Sequence, residues 1–244
     1  MRPAISTNSP TSNPAGTPSL RSQGRRFIAA VVLLVAGDAL FWLMLAAVQS
    51  DSGLARLDGP VHSALVDSRT PWATALLTTV TTVTSPMWMT VIGFLAALGW
   101  AVWKREIWRP ALLLGAMAVT VVLSAVIKNE IGRARPPASD FLLGPDDALS
   151  FPSGHTFGAG VFFLVLVSLL ISRRNRRTTA AVGWIACAAA VAGTVLVAFS
   201  RLYLGYHWLT DVVASIGLAV AVTGIVILVD GLRMSQSAVP VKPQ

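Results

Sequence analysis

The chain has 244 residues, of which 54% are hydrophobic and 12% charged, and its mean hydropathy is +0.67. This many long apolar stretches cannot be buried in one small soluble core, so the composition excludes an ordinary soluble enzyme and favours a membrane protein. The net charge of +8 does not indicate nucleic-acid binding, because the basic residues form short runs between apolar segments. The single cysteine, Cys187, cannot form an intrachain disulfide and is interpreted as a small buried apolar residue.

The first 26 residues are predicted to form a disordered cytoplasmic tail. They are rich in Ser, Pro, Thr and Asn and end with Arg25 and Arg26. The apolar stretch that follows, Phe27–Val48, is too long for the apolar core of a signal peptide and has the roughly 20 residues that cross a bilayer. It is therefore predicted to be an uncleaved membrane anchor.

Five further apolar segments are predicted to be membrane spans: Met87–Trp103, Pro110–Ile127, His155–Ile171, Ala180–Phe199 and Leu209–Leu232. The segment Pro71–Ser85 is apolar, but it would cover only about 22 Å as a helix and is followed by Pro86. We expect Leu57–Ser85 to form short helices at the outer surface. The predicted fold is all-α, with a six-helix domain over residues 27–232 and a short cytoplasmic tail over 233–244.

The distribution of basic residues predicts how these spans are oriented in the membrane. With a cytoplasmic N-terminus, the inner segments contain 13 of the 19 basic residues, including the short loops 104–109 and 173–177. The positive-inside rule therefore predicts that both termini are cytoplasmic. A seventh span at Pro71–Ser85 would move both loops outward, against that rule.

Three short polar runs are predicted to meet at the outer face. The first contains Lys128 and Arg135-Pro136, the second is Pro152–His155, and the third contains Arg201, His207 and Asp211. The first two are joined by one loop that does not cross the membrane. Because two spans separate His155 from His207, the third run lies on the same face.

His207 and Asp211 are four residues apart at the start of a predicted helix, so their side chains should share one helical face. A carboxylate that accepts the Nδ1–H of an imidazole leaves Nε2 as a nucleophile. An isolated pair of this kind is more often a capping histidine beside an interfacial aspartate, but this pair belongs to a larger cluster.

Ser153-Gly154-His155 opens an apolar helix. Ser153 is an ordinary N-cap residue, but a helix N-terminus also offers free amides and a positive dipole end to an anion. Gly154 would let a phosphate approach the backbone closely, and His155 is placed to donate a proton to a leaving oxygen.

Lys128, Arg135 and Arg201 supply the positive charge that phosphoryl transfer requires. Lys128 and Arg135 are seven residues apart and would share a face if their helix continued to Pro136. Basic residues at helix ends often only extend toward the membrane surface, yet these lie on the outer face, where a general basic anchor is not expected.

These runs, with their order and spacing, resemble the three-part signature of the type 2 phosphatidic acid phosphatase (PAP2) superfamily, and the six-helix layout from about Phe27 to Leu232 resembles its membrane branch. The resemblance implies that His207 is a nucleophile that forms a phosphohistidine and that Asp211 orients it. It implies that His155 is the general acid and then the base. It also implies five phosphate-binding residues and no metal or cofactor; these five are Lys128, Arg135, Ser153, Gly154 and Arg201.

The expected activity is hydrolysis of a phosphorylated lipid at the extracytoplasmic surface of a bacterial plasma membrane. A polyprenyl pyrophosphate such as undecaprenyl pyrophosphate is the first expectation, and phosphatidic acid or phosphatidylglycerol phosphate is the alternative. Asp38, midway along the first span, favours a remote alternative, a lipid transporter without turnover. His62 lies in the outer region Leu57–Ser85 and could touch substrate, but it is expected to be a surface or interfacial residue without a chemical role. The sequence does not indicate an oligomeric state.

Overall fold

The protein is represented by a computed structural model that describes residues 20–172 and 180–236. Over these residues it consists of helices and connecting loops, without strands. Eight α-helices are present in the described part of the chain: α1 (Leu20–Ser50), α2 (Asp58–Asp67), α3 (Pro71–Val83), α4 (Pro86–Lys104), α5 (Trp108–Ile131), α6 (Gly154–Ser172), α7 (Ala180–Tyr203) and α8 (Leu209–Gln236).

Six of these helices have the length and composition of membrane spans, namely α1 and α4 to α8. The predicted all-α fold with six spans is confirmed. Helix α1 begins at Leu20, before the predicted start of the first span at Phe27. Most of the two predicted tails, and the basic residues of the loop between α6 and α7, lie outside the described residues.

The region between α1 and α4 forms the short helices that the sequence predicts. Helix α3 has 13 residues, or about 20 Å at the rise of an α-helix, too little to cross a hydrocarbon core of about 30 Å. It ends at Val83, and α4 begins at Pro86 with Ser85 as its N-cap. Proline is well suited to this first position because it needs no amide hydrogen there.

Helix α8 lies at the centre of the bundle, between α1 and α6. It approaches α1 very closely through glycines: a Cβ atom on Gly37 would lie 2.4 Å from the carbonyl oxygen of Gly217, and one on Gly224 would lie 2.6 Å from that of Ala30. Small residues allow this close backbone contact between membrane helices, where dispersion forces drive association.

The other side of α8 shares an apolar core with α6. Side chains at every fourth position of α6 are fully buried there: Phe157, Val161, Val165 and Leu169. By contrast, the outward faces of the bundle carry exposed large apolar residues such as Trp42, Phe94 and Val122, as helices that contact lipid require.

A buried ion cluster joins three helices at the end of the bundle where α6 and α8 terminate. Arg109, at the start of α5, lies 3.0 Å from Glu106 and 3.2 Å from Asp230 of α8. Ser172, the last residue of α6, donates a hydrogen bond of 2.7 Å to the same Asp230 carboxylate. One guanidinium is shared by two carboxylates, so the cluster holds α5, α6 and α8 together at this end.

Candidate active site

The three polar runs lie at the opposite end of the bundle, where α5 and α7 end and α6 and α8 begin. The loops 132–153 and 204–208 connect these helix ends, and α2 and α3 pack against α7 beside them. The chain therefore places the residues of all three runs in one region.

Helix α5 ends before Arg135, so the prediction that Lys128 and Arg135 share a helical face is wrong. Gly132 adopts a left-handed conformation with φ +63°, and its N–H binds the carbonyl oxygen of Lys128 at 2.9 Å. This is the usual glycine termination of a helix, which satisfies a free carbonyl at a φ that other residues avoid. Arg133 and Arg135 consequently lie in the loop, which directs both toward α8.

His207 and Asp211 are in contact, as the spacing predicts, although His207 precedes α8 rather than lying in it. The Nδ1 atom of His207 lies 3.3 Å from Oδ2 of Asp211, and both side chains are buried. Ser150 donates to the same oxygen at 2.5 Å, and the N–H of Trp208 donates to it at 2.9 Å. The last bond caps α8, since a side chain in the first helical turn reaches back to the residue before the helix.

This arrangement keeps His207 neutral. Burial lowers the pKa of His207 to about 3, against the opposing effect of the Asp211 carboxylate. With its proton on Nδ1, facing Asp211, the ring has its lone pair on Nε2. A neutral imidazole with a free Nε2 is the form that a nucleophile requires.

The Nε2 atom of His207 faces Arg135. Nη1 of Arg135 lies 3.3 Å from Nε2 and 2.8 Å from the carbonyl oxygen of Tyr206, while Nη2 forms an ion pair of 2.8 Å with Asp146. Burial lowers the pKa of Arg135 from its ordinary value, and the Asp146 carboxylate opposes this. Lys128 lies nearby, and its Nζ contacts the carbonyl oxygen of Leu149, next to Ser150.

Arg201 is the most deeply buried of the three predicted phosphate-binding cations. Its Nη1 donates to Thr81 of α3 at 2.8 Å, and its guanidinium carbon lies 4.4 Å from the centre of the Tyr206 ring. Its Nε is buried and has no hydrogen-bond partner within the described residues. A buried, unpaired donor is costly unless a ligand satisfies it, so this atom indicates an anion site.

At the start of α6, Ser153 is buried and hydrogen-bonded, whereas Gly154 has free space around it. Ser153 is fully buried: its hydroxyl accepts from Thr156, and its N–H donates to Ser215 of α8 at 2.8 Å. A Cβ atom on Gly154 would meet only Ser124 Oγ, at 3.8 Å. No packing contact therefore requires glycine here, and the backbone stays accessible to a ligand. His155, in the same turn, is half-buried.

Sequence reasoning missed several polar residues that contact the predicted catalytic pair. Arg133 lies 2.5 Å from Oδ1 of Asp211 and 2.6 Å from Asp58, and Ser150 contacts both members of the pair. The family signature that the sequence resembles does not require Arg133. Asp58 and Ser150 gave no signal, since their contacts join distant parts of the chain.

The prediction that His62 is a surface or interfacial residue is wrong. It is buried, its Nε2 lies 2.9 Å from Oδ2 of Asp140, and its ring centre lies 5.4 Å from that of Trp208. The hydrogen bond from His62 lowers the pKa of Asp140. His62 thus fastens α2 to the loop beside the site. Asp38 lies on the exposed face of α1, away from the polar cluster.

Comparison with known proteins identifies the family. Residues 109–234 match the PAP2 superfamily. Phosphatidylglycerophosphatase B of Bacillus subtilis (strain 168) is 30% identical over 186 residues, which cover 73% of this chain and 86% of that protein.

Two solved structures share the fold. The transmembrane PAP2-type phosphatidylglycerolphosphate phosphatase from Bacillus subtilis has a TM-score of 0.72 and 23% identity, covering 85% of this chain and 99% of that one. LpxE of Aquifex aeolicus has a TM-score of 0.51 and 20% identity, covering 70% of this chain and 94% of that one. The chain belongs to the PAP2 superfamily and is a membrane phosphatase.

Proposed function

We propose that the chain hydrolyses a lipid phosphate in two displacements through a phosphohistidine on His207. The observation that carries this proposal is the geometry of the buried ring, which contacts Asp211 through Nδ1 and faces Arg135 through Nε2. Such a ring is held in one tautomer and needs no further proton removal before it attacks phosphorus.

In the first displacement, Nε2 of His207 forms a bond to phosphorus while the bond to the lipid oxygen breaks. His155 donates a proton to that oxygen, and the dephosphorylated lipid leaves. In the second, His155 takes a proton from water, the water oxygen bonds to phosphorus, and the P–N bond breaks to release phosphate and free His207. Asp211 stabilises the positive charge that the ring carries while it is phosphorylated.

Positive charge around the phosphoryl group would come from Lys128, Arg135 and Arg201. The unpaired Nε of Arg201 and the accessible backbone at Gly154 support this assignment. Ser153 is assigned to the same site, and its N-cap contacts support the amides of the first α6 turn in an anion-binding orientation.

The site is assigned to the extracytoplasmic face of a bacterial plasma membrane, with both termini in the cytoplasm. The opposite end of the bundle carries the basic residues Arg25, Arg26, Lys104, Arg105 and Arg233, which supports this orientation by the positive-inside rule.

Phosphatidylglycerol phosphate is the substrate favoured by comparison, because the 30%-identical Bacillus relative is a phosphatidylglycerophosphatase. The groups described at the site would bind the phosphate, and apolar side chains of low specificity would bind the lipid tail. Undecaprenyl pyrophosphate, the first expectation from the sequence, and phosphatidic acid therefore belong in the same assay.

The test measures phosphate release by the purified full-length protein in detergent with EDTA, from these three lipids side by side. A phosphorus-32 label on the transferred phosphate should appear on the wild-type protein as an acid-labile, base-stable adduct and should be absent from His207→Ala. Labelling or substantial turnover by that variant would overturn the phosphohistidine proposal. The ratio of kcat/KM values among the lipids assigns the substrate.

A further inference from the structure

Arg133 lies between two buried carboxylates. Its Nη1 donates to Oδ1 of Asp211 at 2.5 Å, and its Nη2 donates to Oδ2 of Asp58 at 2.6 Å. Asp58 is 5% exposed and Asp211 is fully buried. A buried carboxylate requires a cation or several donors, and here one guanidinium serves both.

Thr210 completes this cluster. Its N–H donates to Oδ1 of Asp58 at 2.9 Å, and its hydroxyl donates to Oδ2 at 2.7 Å and accepts from Arg133. The first residue of α2 therefore binds the first turn of α8, one residue away from Asp211. Each oxygen of Asp58 has a partner, so the side chain is fixed in one orientation.

We infer that Arg133 and Asp58 are positioning residues of the phosphatase reaction, acting through Asp211. This inference rests on the role proposed above for His207 and Asp211. Arg133 holds Oδ1 of Asp211, which leaves Oδ2 directed at Nδ1 of His207. Asp58 holds Arg133 from the other side and thereby fixes the guanidinium in the plane that this contact needs.

Asp58 also affects how much negative charge Asp211 offers to the His207 ring. When His207 bonds to phosphorus, its ring gains positive charge that Asp211 must stabilise. A guanidinium directed at Asp211 alone would offset that negative charge. Because Asp58 shares the guanidinium, Asp211 keeps more of its charge available to the ring, and the benefit is largest when the phosphoryl group is transferred.

The test uses Arg133→Gln, Arg133→Lys, Asp58→Asn and the double variant Asp58→Asn/Arg133→Gln in the full-length protein. Arg133→Gln and Asp58→Asn should each slow formation of the labelled phosphoenzyme in a single turnover by about 10- to 100-fold, by analogy with the loss seen when residues that orient metal-ligating side chains are changed. KM should stay within about threefold, because neither residue is assigned a contact with phosphate. Arg133→Lys should recover part of the lost rate.

The double variant tests whether the second substitution worsens or relieves the effect of Arg133→Gln. Arg133→Gln leaves two buried carboxylates without their shared cation, which is the most costly arrangement. Removing the charge of Asp58 as well should reduce the repulsion between these carboxylates. The double variant should therefore unfold at a higher temperature than Arg133→Gln and turn over at least as fast. Additive losses in the double variant would overturn the inference.

Arg56→Gln is the matched control, because Arg56 is an exposed arginine two residues before Asp58. It should keep the wild-type rate. An unchanged rate of phosphoenzyme formation in Arg133→Gln and Asp58→Asn, or a loss confined to KM, would overturn the positioning role. Failure of the proposed function would give a different result from failure of this inference. In that case the wild type would carry no label, or His207→Ala would still carry it.

Discussion

Nη1 of Arg135 lies 3.3 Å from Nε2 of His207. A guanidinium is always a donor, so this contact requires the lone pair of a neutral ring. The same atom also binds the carbonyl oxygen of Tyr206, which keeps the cation beside the ring. A phosphoryl group that reached Nε2 would therefore meet positive charge at the point where the new bond forms.

The first prediction concerns Asp146, which pairs with Arg135 at 2.8 Å and has a side chain 30% exposed. If Arg135 binds phosphate as proposed, the Asp146 carboxylate competes with phosphate for the guanidinium. Asp146→Asn should lower KM by about threefold to tenfold and strengthen inhibition by inorganic phosphate, with little change in thermal stability, because partly exposed ion pairs contribute only about 0–1 kcal/mol. Asp147→Asn, an exposed neighbour, controls for net charge. Equal KM values for both variants would refute a competing role.

The second prediction concerns the unpaired Nε of Arg201. Arg201→Lys keeps the charge but removes the planar donor set, so kcat/KM should fall by about 10- to 100-fold, a loss of about 1.4–2.7 kcal/mol. Competitive inhibition by vanadate should weaken in parallel, because vanadate imitates the pentacoordinate phosphorus of the transition state. Unchanged vanadate inhibition in this variant would exclude Arg201 from the phosphate site.

The third prediction concerns pH and stability. The lowered pKa of His207, about 3 against an ordinary 6.5, means that the unfolded chain takes up this proton first as the pH falls. The stabilisation is complete above about pH 6.5 and is lost as the pH falls toward the folded value. From pH 8 to pH 5 the loss should be about 2 kcal/mol.

Thermal unfolding in detergent, followed across this pH range, measures that loss. His207→Gln should lack this part of the pH dependence, so the difference in Tm between the wild type and the variant should shrink toward acid pH. Parallel Tm curves would show that the buried ring does not titrate on unfolding.

The fourth prediction concerns metals. Within residues 20–172 and 180–236, no group of three His, Cys, Asp or Glu side chains could hold a metal ion, whereas Arg135 contacts the His207 ring. Turnover should stay within about twofold in EDTA, since arginine and lysine can supply the electrostatic stabilisation. Strict dependence on an added divalent cation, restored by Mg²⁺ after EDTA treatment, would contradict the site as described.

The fifth prediction concerns the α1–α8 crossing. Gly37→Val would place a Cβ atom 2.4 Å from the carbonyl oxygen of Gly217, and backbone atoms cannot move aside. The cost should exceed the roughly 1–3 kcal/mol of ordinary overpacking, so the folded yield should fall sharply in size-exclusion chromatography. A Cβ atom on Gly99, in α4, would meet nothing within 4 Å, so Gly99→Val should behave like the wild type. Equal yields for the two variants would exclude a tight crossing.

The bundle could be predicted because its signals are local. Long apolar runs, the proline that begins α4 and the basic residues between spans indicate the number and approximate positions of the spans. The contact between His207 and Asp211 also follows from their spacing. The end of α5 could have been found from Gly132, since glycine followed by a non-periodic segment is the common end of a helix.

The contacts of Arg133 could not be predicted in this way. Its partners Asp58 and Asp211 are 75 and 78 residues away in the chain, and only the packing of α2 against α8 brings them together. His62 was misjudged for the same reason, because Asp140 is 78 residues distant. No periodic pattern in one sequence reports such pairs.

The close crossing of α1 and α8 has a consequence for biosynthesis. Helix α1 is synthesised well before α8, so its glycine face has lipid as its neighbour until α8 is inserted. That span also carries Asp211 and follows directly after His207. A nascent chain that has reached only the end of α7 therefore lacks the partner helix of α1 as well as His207 and Asp211, so the closed bundle and the proposed catalytic pair both depend on the same late segment.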